Sequence, residues 1–153
     1  MHNNQPYRHY GNIGDVWKHL VLCELLTDNH IETYIETNSA YFDYKLEYTP
    51  EQNYGIGHFR NKLKQNQTLS ASSYSQIIMP TLSEGRYPGS CAQAMMLLRE
   101  EGSNFLFFDT DKAALESLER GAARLGLSGR TKTINTDSIA GFQKILPGLD
   151  NAS

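Results

Sequence analysis

The stretch from Asn104 to Leu127, NFLFFDTDKAALESLERGAARLGL, restricts the possible folds of this chain more than any other. Phe105 to Phe108 form a short apolar run, Asp109 and Asp111 follow, and Ala114, Leu115, Leu118, Ala122 and Leu125 then recur at helical spacing. The segment predicts a strand, an acidic turn and an amphipathic helix. A continuous apolar strand that passes straight into a helix belongs to a parallel sheet covered on both faces, where ligands sit at the carboxyl ends of the strands. Asp109 is expected at such an end. The arrangement recurs further on. Thr131 to Thr136 read as a strand, Asp137 stands at its end, and Ser138 is placed to cap a last helix, IAGFQKIL, stopped by Pro147-Gly148.

The remaining segments fit an α/β chain that forms one domain over residues 1–153. A helix is expected from Gly14 or Asp15 through DVWKHLVLCELL, with Val16, Leu20, Cys23 and Leu26 on its buried side. Ile31 to Thr37 alternate apolar and polar residues and predict a first strand centred on Tyr34-Ile35. It leads into NSAYFDYKL. Residues 48–88 read as a helical insertion after that strand: Thr49-Pro50-Glu51 starts a helix, Ile56, Phe59 and Leu63 share a face, and QNQTLSASSYSQ reads as a polar loop. Tyr87-Pro88-Gly89-Ser90 then opens a helix over CAQAMMLLREE, with Ser90 as its cap and Gly102 as its stop.

Composition removes several classes of function. No apolar run reaches the roughly 20 residues of a bilayer span, and MHNNQPYRHY lacks the apolar core of a secretion signal, so a soluble, cytoplasmic protein is expected. Cys23 and Cys91 are the two cysteines, both in apolar helical contexts, and read as buried free thiols. No zinc-ligand spacing, phosphate-binding glycine loop or nucleophile elbow occurs. A net charge of -3 gives no global footprint for nucleic acid, although Lys45, Arg60, Lys62 and Lys64 make a local basic cluster.

Two acids at neighbouring strand ends form a rim for a ligand rich in donors. Asp109 can accept both hydroxyls of a ribose, and Asp137 with the amide after it can meet an adenine edge. The same two acids also fit plain helix caps. Lys18 and His19 read, as residue types, as an exposed helix pair. Aromatic residues of the insertion suit either base stacking or core packing.

YRHYGNIGDVWKHLVL resembles the opening signature of the bacterial family of large-subunit (23S) ribosomal RNA adenine-N6 methyltransferases. YIETNSAYFDYKL is similar to that family's first strand and cofactor loop, YPGS to its next helix start, and FFDTDKAAL with INTDSIAGFQKILPG to its second and third strands. The resemblance implies part of a Rossmann-like class I methyltransferase fold, a parallel sheet with flanking helices, and S-adenosylmethionine as cofactor. It implies Tyr7, His9 and Lys18 near the cofactor and target base, with Lys18 counted among the cofactor contacts. His19 and Ser90 would lie near the methionine part, Asp109 at the ribose and Asp137 near the adenine. Ribosomal RNA is the implied partner, held in part by the insertion, and no metal is implied.

The chain departs from the family pattern in three places. Its spacing between His9 and Gly11 is shorter. Ala40 and Phe42 stand where the family has glycines, which crowds the methionine site. The sequence ends at Ser153 without the fourth strand and the Asp-Pro-Pro-aromatic loop that grips the target amino group. The expectation is therefore a cofactor-binding part without the catalytic motif, or a non-catalytic relative kept for binding or assembly. A three-stranded sheet would expose an edge, so self-association is also expected.

Overall fold

The structure is a computed structural model and describes residues 8–149, with the side chains of 147–149 excepted. Its centre is a parallel sheet of β1 (Thr33–Glu36), β4 (Asn104–Asp109) and β5 (Thr131–Asn135), in the order β1-β4-β5. The apolar run of the sequence is thus the middle strand. Its alternate residues divide between the faces. Phe105 and Phe107 pack with Leu26, Met95, Leu98, Leu115 and Leu118, residues of α1 (Ile13–Thr27), α6 (Ser90–Leu98) and α7 (Lys112–Arg124). Each buried phenylalanine contributes on the order of 2–3 kcal/mol by leaving water. On the other face Phe108 meets α8 (Ser138–Leu149), where a Cβ on Gly141 would come within 2.6 Å of the Phe108 ring.

Asn12 caps α1 by accepting the Asp15 amide, while Asp15 accepts the Gly11 amide in return at 2.9 Å. The helix therefore starts slightly earlier than the sequence predicts, and Asp15 completes its cap from inside. Val16, Cys23 and Leu26 are buried as expected and Leu20 is half-buried.

Between β1 and α6 the chain differs from expectation. NSAYFDYKL contains a strand, β2 (Asp43–Lys45), paired antiparallel with β3 (Arg86–Pro88). Thr49 and Pro50 do start a helical run, α2 (Pro50–Gln52), which continues through a π turn at Asn53–Gly57 into α3 (His58–Leu63). QNQTLSASSYSQ is helical rather than a loop. It lies mostly in α4 (Gln67–Ala71) and α5 (Ser73–Ser83), whose caps Asn66 and Ser72 satisfy the first amides with their own side chains. Tyr74, Ser75, Ile78 and Leu82 supply the buried face of α5, at a spacing that the serines mask in the sequence. The insertion packs on the N-terminal turn through Gly55, where a Cβ would overlap the backbone of Gly11 and Asn12.

Two caps move by one residue. Gly89, not Ser90, precedes α6, and Asp137, not Ser138, caps α8 by accepting the amides of Ile139 and Ala140. The helix α8 also continues past Pro147 to Leu149. No helix among the described residues is long and apolar enough to cross a membrane.

Candidate functional site

The carboxyl ends of β1 and β4 carry two acids, the half-buried Glu36 and the buried Asp109. Glu36 closes β1, and its Oε1 accepts the Ser90 hydroxyl at 2.5 Å while Oε2 accepts the Tyr34 hydroxyl at 3.1 Å. Ser90 is free to do this because Gly89 occupies the capping position. Burial raises the Glu36 carboxyl to about 7; the two hydroxyl donors oppose the shift and the Asp109 charge adds to it. The sequence reading passed over Glu36. Its signal was an acid at the end of a strand, the position that also singled out Asp109.

Asp109 is 6% exposed and does not cap a helix. Its Oδ2 accepts the Ala40 amide and its Oδ1 the Asp111 amide, both at 2.8 Å. It therefore ties the loop after β1 to the turn before α7. Asp111 is the cap, accepting the amides of Ala113 and Ala114. Ala40 has φ of 52°, in the left-handed region that favours glycine, and strand-end residue Phe108 holds the adjacent Ser39 through its carbonyl.

Next to this loop lies an open cavity of about 240 Å3 lined by His9, Asp15, Lys18, His19, Ser39, Ala40, Tyr44, Tyr87, Gly89 and Ser90. Four residues singled out in the sequence, His9, Lys18, His19 and Ser90, thus meet in one place. His9 is exposed and faces Glu51 at 3.0 Å, and Lys18 pairs with Asp15 at 2.9 Å. His19 is not the exposed partner of Lys18 that residue types favour. Its Nδ1 lies 2.9 Å from the Tyr87 hydroxyl and 3.0 Å from Gln93 Nε2. The Gln93 amide also donates to the Pro88 carbonyl, which fixes its orientation. Nδ1 therefore accepts, the ring proton sits on Nε2, and burial holds the imidazole down to about 4, so it is neutral near pH 7. Behind it, Tyr74 bonds Tyr87, and the Cys23 thiol donates to Gln93.

Asp109 stands one hydrogen bond behind the cavity wall, and Asp137 is exposed and absent from the lining. Asp109 lies with Glu36 on the inner side, and Asp137, after the adjacent strand β5, caps α8. Tyr7 lies outside the described residues. Cys23 and Cys91 are buried and free; burial pushes the Cys23 thiol up to about 12, so neither offers a thiolate. In the insertion, Phe59 and Tyr74 are core residues, whereas Tyr54 is 71% exposed.

These features define an α/β domain with a central parallel sheet and a polar cavity beside the carboxyl ends of its strands. The crystal structure of protein LPL1258 from Legionella pneumophila, described by the family model DUF519, is similar to it at a TM-score of 0.74 and 24% identity. The match covers 91% of this chain and 53% of that one, so the chain spans about half the length of that neighbour. At this identity the likeness shows the fold. No protein-family model and no curated protein matches the chain.

Proposed function

We propose that this chain is the S-adenosylmethionine-binding part of a methyltransferase-like protein related to the ribosomal RNA adenine-N6 methyltransferases, with a Rossmann-like fold. The observation that carries this reading is the Glu36–Ser90 pair at the end of β1, beside the Ala40 loop and the cavity that His9, Lys18 and His19 line. The methyl donor carries a sulfonium and an ammonium against one carboxylate, so it is a net cation. Glu36 and Asp109 offer carboxylates to it, Lys18 in the wall is already paired with Asp15, and a neutral His19 adds no opposing charge. Asp109 has spent one lone pair of each oxygen on backbone amides, which leaves capacity for two ribose hydroxyls. The donor set therefore fits the cofactor. Its bound form would place the sulfonium methyl toward an unstacked adenine, where proximity supplies much of the rate.

Calorimetric titration with S-adenosylmethionine tests this reading. Saturable binding is expected, weakened about tenfold or more in Glu36→Gln and Asp109→Asn, which keep the shape and remove the charge. No heat at millimolar ligand overturns it. A second reading, a non-catalytic binding or assembly protein, draws on Ala40, whose side chain occupies a backbone position that suits glycine. Labelled methyl transfer to ribosomal RNA separates the two. None is expected from residues 1–153, which contain no Asp-Pro-Pro sequence, and transfer would exclude the non-catalytic reading.

A further inference from the structure

A larger cleft, of about 620 Å3, opens between the β2–β3 ribbon and α7, and Arg86, Arg120 and Arg124 are in its wall. Among the described residues Asp43 is the one acid lining it. Asp43 is buried, and its two oxygens go to different guanidiniums, Oδ1 to Arg86 and Oδ2 to Arg124 at 3.4 Å. The carboxylate thus positions both arginines. The Arg124 guanidinium lies 5.2 Å from the centroid of the Phe42 ring, which fixes it further. Arg86 keeps a buried Nε with no hydrogen-bond partner, and Arg120 makes no ion pair or hydrogen bond among the described residues. Ser117 adds a hydroxyl one helical turn before Arg120. Glu84 contributes a negative field at Arg86 but is not part of the wall. Three cations, two of them held by Asp43, against one described lining acid, in a chain of net charge -3, mark a local surplus rather than a general one.

We infer that this cleft binds phosphate oxygens of a nucleotide strand. The planar guanidinium fork matches phosphate oxygens two at a time, and guanidiniums held by a shared carboxylate lose little freedom on binding. An open cleft of this size takes more than one phosphate group. Its position gives the inference a use that rests on the reading of the chain as a methyl-donor protein acting on RNA. Ser39, Ala40 and Tyr44 line the smaller cavity while Tyr41 and Asp43 line the cleft, so one segment of chain separates the two. A strand anchored by its phosphates in the cleft passes beside the cavity.

The test is fluorescence anisotropy of a labelled single-stranded oligoribonucleotide of about ten nucleotides, titrated with the full chain without methyl donor, between about 50 and 200 mM salt. Affinity is expected to fall with salt, and Arg120→Ala and Arg124→Ala each to weaken it roughly tenfold while lowering the salt slope by about 0.7–1. Arg120 is exposed and unpaired, so its replacement leaves the fold intact. Lys132→Ala, an equal loss of charge on β5, is expected to have little effect. Displacement of the strand by adenosine monophosphate assigns the cleft to a terminal phosphate. Displacement by unlabelled strand alone assigns it to diesters. Unchanged affinity in both arginine variants, or an equal loss in Lys132→Ala, overturns the inference. Donor titration of Arg120→Ala keeps the two readings apart. Donor binding with arginine-independent strand binding removes only the cleft, and arginine-dependent strand binding without donor binding removes only the cofactor reading.

Discussion

Glu36 and His19 are shifted in opposite directions by the same cause, burial, and their effects on stability oppose each other. The folded Glu36 binds its proton more tightly than the unfolded one, so its contribution is present below pH 4.5 and is lost as pH rises through about 7. Folded His19 binds its proton less tightly, so its contribution is present above pH 6.5 and is lost as pH falls through about 4. Between pH 4.5 and 6.5 the two slopes nearly cancel, and denaturant midpoints should be flat there. Glu36→Gln should uncover a rise in stability with pH across that window, and His19→Gln a fall, each of roughly 1 kcal/mol per pH unit. Parallel profiles for the two variants would remove this account. At Ala40, replacement by glycine relieves a left-handed φ that disfavours a Cβ. After the entropy that glycine adds to the unfolded chain, about 0.5–1 kcal/mol of stabilisation should remain, a rise of roughly 2–3 °C in Tm by calorimetry. A lower Tm would show that the loop needs the methyl group.

The elements were legible in the sequence where their pattern was local. The strand, turn and helix around Asp109 follow from an apolar run and a helical repeat, and the Thr49-Pro50 start follows from capping chemistry. What escaped was set by distant partners. The ribbon β2–β3 pairs residues 43 and 88, and nothing local in NSAYFDYKL announces it. The serines that made residues 65–76 look like a loop serve instead as caps and inward hydrogen-bonding groups. Ser90 carries the right role for the wrong reason, since it turns to Glu36 and leaves capping to Gly89. The ribbon and α7 meet at Gly121, where a Cβ would overlap the Phe42 ring. Gly121→Ala would improve an isolated helix, yet here it should destabilise by about 1–3 kcal/mol because the ring has to move. Phe42→Leu should recover part of that loss in the double variant, measured by urea unfolding. Additive effects would show that the contact does not govern the site.

At the scale of the molecule, one face of the sheet is closed and the other is sparsely covered. Phe105 and Phe107 lie under α1, α6 and α7, whereas Leu106 is half-buried and α8 leaves Ile139 at 69%, Phe142 at 37% and Leu146 at 41% exposure. Among the described strands β5 pairs only with β4. An exposed strand edge beside apolar side chains favours pairing with a second copy. Light scattering should therefore give a mass above the 17.3 kDa of one chain that rises with concentration, and Ile139→Lys should return it toward the monomer. A monomer at all concentrations counts against that expectation. The bond from the Ala40 amide to Asp109 joins residues far apart in sequence and holds the cavity loop to the central strand. Hydrogen exchange at the Ala40 amide should therefore follow the opening of β4 rather than that of its own loop. A ligand that draws Asp109 to itself should speed exchange at this one proton while slowing it elsewhere around the cavity.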